Sequence, residues 1–169
     1  FSFIIADYSQ IELRVLDHLS QDSTMIEILK NKKSDIHSET ASRIFNVPIG
    51  DVTSDMRRKA KEVNFGLIYG MEAFGLSKSL DIEQKEASQL IESYFSQFPE
   101  IKGFLDNIVL KATKDSFTET LIGRKRYIRE LNSSNFQVKA AGKRIAMNAP
   151  IQGTAADIMK IAMIKVLHK

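Results

Sequence analysis

Cysteine is absent from all 169 residues. Disulfides and thiolate-held zinc or iron–sulfur centres are thereby excluded, a composition that suits a reducing cytoplasm. No stretch approaches the roughly 18 apolar residues a membrane-crossing helix needs, and no basic-then-apolar leader opens the chain. Proline occurs only three times, each time near the edge of a predicted helix. No Gly-x4-Gly-Lys-Ser/Thr loop is present, so a P-loop is not the binder of any phosphate. Internal repeats, low-complexity tracts and linkers are also missing.

What is present describes one domain of ordinary size. Hydrophobic residues make up 43% and charged residues 27%, enough for a core and unlike a disordered chain. The net charge of +3 is too small to imply nucleic acid by itself, so the distribution of charge has to carry that question. The chain opens without Met, already inside the apolar run Phe1-Ser2-Phe3-Ile4-Ile5-Ala6, and stops inside the apolar helical stretch from Ile158 to Leu167. Neither end carries a cap or linker, and the expectation is a piece of a longer protein.

Helix dominates the predicted elements. Residues 3–6 read as a buried strand leading to Asp7. A helix follows from Gln10 to Leu19, with Ile11, Val15 and Leu19 on one face. Thr24 is read as the cap of a short helix to Leu29, and Asp35 as the cap of another to Phe45 with Pro48 beyond it. Ser54 precedes a long helix to Tyr69, with Gly70 as its C-terminal cap. Glu83 to Phe98 and Ile101 to Lys114 are helical. Residues 118–121 and 126–128 flank Gly123 as a hairpin. Two further helices, 134–148 and 154–169, are predicted on either side of Pro150.

Three groups of residues stand out. Asp7 lies where the first apolar run ends, and a carboxylate there is an oxygen ligand for a hard cation or simply a cap for the next helix. Glu12, five residues on, is either a second ligand or a surface acid. Arg57, Lys61, Phe65 and Tyr69 recur at four-residue steps, which sets them on one helical face, cationic at one end and aromatic at the other. Such a face suits a nucleoside triphosphate, with Arg and Lys on the phosphates and a ring beside the sugar or base. It also describes a solvated charged face over two core aromatics. Gly66 and Gly70 bracket the aromatic end, and glycine there implies that another group approaches the backbone closely. The third group is basic: Gly123-Arg124-Lys125-Arg126 at the hairpin tip, Arg129, then Lys139, Lys143 and Arg144, with Asn148 and Gln152 around Pro150. Lys and Arg clusters suit phosphate backbones, and Asn or Gln can bond base edges.

In order and spacing these groups resemble the bacterial DNA polymerase I family, family A. Asp7-Tyr8-Ser9-Gln10-Ile11-Glu12-Leu13-Arg14 is similar to its first catalytic motif, and Arg57 through Gly70 (RRKAKEVNFGLIYG) to its second, on the mobile fingers helix. Thr120 to Arg126 and Asn148 to Asp157 resemble later segments of its palm. The resemblance spans essentially the whole chain. It implies a mostly α fold with a few short strands, the fingers and partial palm of the right-hand polymerase architecture. Residues 1–15 would be the palm strand and first motif, 16–125 the fingers, and 126–169 the return to the palm.

The resemblance also implies roles. Asp7 would bind two Mg²⁺ ions with the Tyr8 carbonyl as a further ligand. Glu12 would crowd C2′ of the sugar and reject ribonucleotides. Arg57 and Lys61 would hold the triphosphate, with His37 near the β-phosphate and Gln10 close by. Phe65 would pack on the sugar and Tyr69 would guard the templating position. Arg124, Arg144, Asn148 and Gln152 would contact primer–template DNA. The implied reaction joins dNMP from dNTP to a primer 3′-hydroxyl and releases pyrophosphate. The implied protein is a monomeric, cytoplasmic enzyme of the bacterial nucleoid with no membrane partner. The family's third motif, with the second metal carboxylate, is missing, as are thumb and exonuclease domains, so this chain alone is expected to be inactive. Two other readings stand beside this one: a related single-subunit RNA polymerase, against which Glu12 speaks, and a helical DNA-binding module without chemistry, against which Asp7 speaks.

Overall fold

The computed structural model describes residues 3, 5–31 and 34–167. Eight α-helices, one hairpin and two short 3-10 turns (Ile49–Asp51 and Arg129–Asn132) make up the regular structure among these residues. The α-helices and strands are α1 (Ile11–Ser20), α2 (Ser23–Lys30), α3 (Ile36–Phe45), α4 (Ser54–Ile68), α5 (Ala73–Leu80), α6 (Gln84–Gln97), α7 (Pro99–Asp115), β1 (Phe117–Glu119), β2 (Lys125–Tyr127) and α8 (Phe136–Leu167). The strands are antiparallel, with Phe117 opposite Tyr127, Thr118 opposite Arg126 and Glu119 opposite Lys125.

The main core gathers one apolar face from each of α1 to α7: Leu13, Leu16, Met25, Ile36, Val63, Ile68, Leu76, Tyr94, Phe98 and Ile101 are buried in it. Tyr94 and Phe98 pack ring on ring at 4.7 Å in its centre. A smaller core, Ala112, Ile128, Leu131 and Ala146, joins the end of α7 to the hairpin and α8.

Local chemistry explains the helix ends. Asp35 caps α3, its Oδ2 accepting from the Ser38 N–H at 2.9 Å. α4 stops in a Schellman motif: Gly70 adopts φ 68°, its N–H donates to Leu67 O at 3.0 Å, and the Met71 N–H donates to Gly66 O at 2.8 Å. Gly123 takes φ 83° at the hairpin tip.

The structure corrects four expectations. The segment at 3–6 is not a buried strand: Phe3 and Ile5 are 96% and 94% exposed and lack strand structure, while Ile4 lies outside the described residues. A strand needs a neighbour to satisfy its backbone groups, and the only sheet among the described residues is the distant hairpin. Asp22, not Thr24, caps α2, its buried Oδ1 accepting from the Met25 N–H at 3.0 Å. α5 was not predicted, because Gly70 and Gly75 mask a short apolar repeat of Ala73, Leu76 and Leu80.

The fourth correction has the largest consequence. Residues 136–167 form one continuous helix with Pro150 inside it. An interior proline removes a hydrogen bond and costs about 3 kcal/mol, so tertiary contacts must hold both halves in line. On the N-terminal side, Gly142 lies so close to the turn before α8 that an added Cβ would sit 2.9 Å from Leu131 N. On the C-terminal side, the Leu121 N–H donates to Thr154 Oγ1 at 2.9 Å, and Arg124 Nε donates to Asp157 Oδ1 at 2.9 Å. A Cβ on Gly153 would meet Thr120 Cγ2 at 2.6 Å. Gly142, Ala146, Pro150 and Thr154 thus form a buried stripe of small residues that accepts the hairpin and its flanking turn.

Candidate active site

α4 carries the predicted stripe as a face running from its first turn to its C-cap. Arg57 and Lys61 are exposed, Phe65 is half-buried, and Tyr69 is 37% exposed. Beneath them Ala60, Val63, Asn64 and Leu67 are buried.

At the cationic end α4 pairs with α3. Arg57 forms a two-point ion pair with Asp35, Nε to Oδ2 at 2.8 Å and Nη2 to Oδ1 at 3.1 Å. The Asp35 carboxyl is drawn down to about 2 because hydrogen bonds from Arg57 and Ser38 and the Arg57 charge outweigh its partial burial. A guanidinium has five N–H donors, and this pair engages two, so donors remain for a phosphate. His37, in the first turn of α3, is buried between Asn64 and the Phe65 ring. Its Nδ1 lies 3.2 Å from Asn64 Nδ2, and its ring centroid is 5.7 Å from that of Phe65. Burial, above all, holds its pKa below the ordinary value.

At the aromatic end α4 meets α1 and α8. The Tyr69 hydroxyl donates to Glu12 Oε2 at 2.8 Å, joining residues 57 positions apart. Burial, then this bond to the Glu12 carboxylate, raises the Tyr69 pKa, with Gln152 acting in the opposite direction. A Cβ on Gly70 would stand 2.9 Å from Arg144 Cγ and 3.1 Å from its Cα. The glycines therefore mark close approach, as their cost implied: Arg144 at Gly70 and Met71 Sδ, 3.1 Å from a built Cβ, at Gly66. Because α8 is unbroken, Arg144, Asn148 and Gln152 recur at four-residue steps along one side of it. Asn148 Oδ1 is buried without a hydrogen-bond partner among the described residues.

Asp7 and Tyr8 are exposed in the irregular segment before α1, and Gln10 turns the chain into α1 in a left-handed conformation, φ 56°. Gln10 and Ser9 share a polar cavity of about 280 Å³ with Arg14, Ser34 and Asp35, which sets the first motif beside the start of α3, where Asp35 pairs with Arg57. Among the described residues no three His, Asp or Glu side chains gather into a metal site. Of the two carboxylates in the first motif, Asp7 is exposed while Glu12 is half-buried and bonded to Tyr69. That fits magnesium, which takes one or two protein carboxylates and fills its octahedron from phosphate and water.

Arg124 at the hairpin points its guanidinium at the buried Asp157 and at Gly153 O, 3.1 Å away. Its side chain remains 52% exposed. The residues that sequence reasoning passed over are Asp35 as the partner of Arg57, and Asn64. A visible signal for Asn64 existed: a polar residue on the apolar side of an amphipathic helix.

Comparison with known proteins identifies the family. The family model for DNA polymerase family A matches residues 1–169. DNA polymerase I of Caldicellulosiruptor bescii is 52% identical over 166 residues, covering 98% of this chain and 19% of that protein. DNA polymerase I of Mycobacterium tuberculosis H37Rv is 50% identical over 161 residues, 95% of this chain and 18% of that protein. The solved POL domain of Pol1 from M. smegmatis, in complex with DNA primer-template and dNTP, superposes with a TM-score of 0.90 at 49% identity, over 96% of this chain and 28% of that one. The chain thus spans roughly a fifth of the length of the curated relatives it matches. No helix among the described residues is long and apolar enough to cross a membrane. With motif order, helical architecture and whole-chain similarity in agreement, this chain belongs to DNA polymerase family A.

Proposed function

We propose that this chain supplies the nucleotide-binding fingers and part of the palm of a DNA polymerase that extends a primer on a template. The observation that carries the reading is the α4 face: two exposed cations, then a half-buried ring, then a tyrosine hydroxyl held by Glu12. A deoxynucleoside triphosphate laid along that face has its phosphates at Arg57 and Lys61, with His37 and Gln10 nearby, and its sugar at Phe65. Charge that builds on the phosphates as the bond to the α-phosphorus breaks is offset by Arg57 and Lys61. The Tyr69 bond restrains Glu12, which favours its role in crowding a ribose 2′-hydroxyl. A like role follows for Arg144, Asn148 and Gln152, which line up beside Tyr69 and would follow the primer–template duplex, with Arg124 at its edge.

Asp7 and the Tyr8 carbonyl are the ligands this chain offers to two magnesium ions. Those ions, when bound in the complete enzyme, supply charge neutralisation and help ionise the primer hydroxyl. On this reading a chain with Asp7 as its single metal carboxylate gives no primer extension by itself, which an assay of the isolated chain would check. In domain terms, residues 1–15 belong to the palm, 16–125 to the fingers and 126–169 to the return into the palm. The exposed apolar residues Phe3, Ile5, Met163, Ile164, Val166 and Leu167 then fit a palm surface that covers them.

The test is Asp7→Ala in the full-length protein. Primer extension should fall by several orders of magnitude while DNA affinity stays within about twofold, a gap that reflects loss of a group needed only for chemistry. Equal loss of both would favour a DNA-binding module. Extension with NTP as readily as with dNTP would point to an RNA polymerase and remove the role given to Glu12.

A further inference from the structure

A buried polar contact lies directly behind the nucleotide face of α4. Asn64 is fully buried on the apolar underside of the helix, three residues after Lys61 and immediately before Phe65. Its Nδ2 lies 3.2 Å from His37 Nδ1 and 3.2 Å from Thr40 Oγ1, and Thr40 Oγ1 lies 3.4 Å from its Oδ1. Thr40 is itself fully buried, one turn beyond His37 on α3. An amide placed in a core is destabilising unless its groups are bonded, and here its partners are two side chains of the neighbouring helix.

The chemistry of this contact is directional. With the amide set so that Nδ2 faces the ring, the NH₂ donates and Nδ1 is the unprotonated nitrogen. The proton of a neutral His37 then resides on Nε2, the nitrogen not held by Asn64. We propose that Asn64 is a positioning residue for nucleotide binding: it fixes the Nε2–H tautomer and the ring plane of His37, so that His37 meets the phosphates as an N–H donor in register with Lys61 and Phe65. The inference rests on the phosphate-facing role of His37 proposed above.

Other contacts agree. The Phe65 ring packs against the imidazole at 5.7 Å and an interplanar angle of 50°, restraining it from the side. The Asp35–Arg57 pair ties the first turn of α3 to the first turn of α4. The charged groups facing His37 are Asp35 from its own helix and Arg57 and Lys61 from α4. Asp35 favours the imidazolium, and the two cations, together with burial, favour the neutral ring. Protonation at Nδ1 would set an N–H against the Asn64 N–H, so acid dissolves the contact.

The experiment uses the full-length polymerase bound to a primer–template whose primer ends in a dideoxynucleotide, so that equilibrium binding of the correct dNTP is read without chemistry. His37→Ala, Asn64→Ala and the double variant are compared. Each single change should weaken binding about 10-fold, and the double variant should be no weaker than either single one. Asn64→Asp replaces the donor with an acceptor. It should bind poorly at pH 8 and regain affinity toward pH 6, the reverse of the wild-type trend. If Asn64→Ala misfolds, Thr40→Val removes the hydroxyl that orients the amide; it should cost about threefold and show the same lack of additivity with His37→Ala. Multiplicative losses, or an Asn64→Asp profile parallel to wild type, would overturn the role of Asn64 while leaving that of His37 intact. Unchanged affinity in His37→Ala alone would instead overturn the phosphate role of His37, and with it this inference.

Discussion

The two ends of α4 solve different problems. At its N-terminal end Arg57 and Lys61 are exposed, and the partner of Arg57 is a carboxylate 37% accessible to water. Contacts of this kind contribute little to stability because water and salt screen them. At its C-terminal end the backbone itself is in contact with α8 at Gly70, and Tyr69 is bonded to α1 through Glu12. The first end leaves donors free for an incoming anion, and the second fixes the helix to its scaffold. On the proposed reading, one helix separates nucleotide binding from anchoring along its length.

The sharpest way to break that contrast is at Gly70. A side chain there has to adopt φ 68° and displace Arg144. Gly70→Val should lower stability by roughly 2–5 kcal/mol, summing left-handed strain and overpacking, read as a fall in the urea midpoint. Lys61→Ala probes the other end. Its unfolding midpoint should move by less than about 0.5 kcal/mol, while the dNTP concentration for half-maximal incorporation by the full-length protein rises roughly 10- to 100-fold, the loss expected for one charge-assisted hydrogen bond. A stability loss as large as that of Gly70→Val would erase the division between the ends.

Two smaller effects sharpen the comparison. Tyr69→Phe removes the hydroxyl that donates to Glu12 and should cost about 1 kcal/mol, with discrimination against ribonucleotides relaxed as Glu12 loses its restraint; incorporation ratios of NTP to dNTP measure this. Asp35→Asn concerns pH. The folded-state pKa of Asp35, about 2, lies below its ordinary value of 3.8. Its contribution is therefore complete above about pH 4 and is lost as pH falls through 2. The variant should lack that segment of the stability–pH curve, an effect below about 1 kcal/mol for so exposed a pair.

Much of this site was legible before any coordinates. Periodicity alone set Arg57, Lys61, Phe65 and Tyr69 on one face, because helical geometry is local. Asp35 and Gly70 announced helix ends through cap chemistry, which is equally local. The predicted buried strand at 3–6 failed because strand character depends on neighbours that periodicity cannot supply. The break predicted at Pro150 failed for the opposite reason: local propensity was read correctly, but contacts from the hairpin and the turn before α8 overrode it. That error concealed the line of Arg144, Asn148 and Gln152, which emerges only on an unbroken helix.

The sequence by itself determined the family, the helical class and the chemical types along the α4 face, since these depend on residue order and on periods of a few residues. Only the tertiary structure decided that Glu12 meets Tyr69, that Asn64 holds His37, and that α8 continues through its proline. Each of those facts joins segments distant in the chain, and the free energy that fixes them comes from burial and bonding between elements.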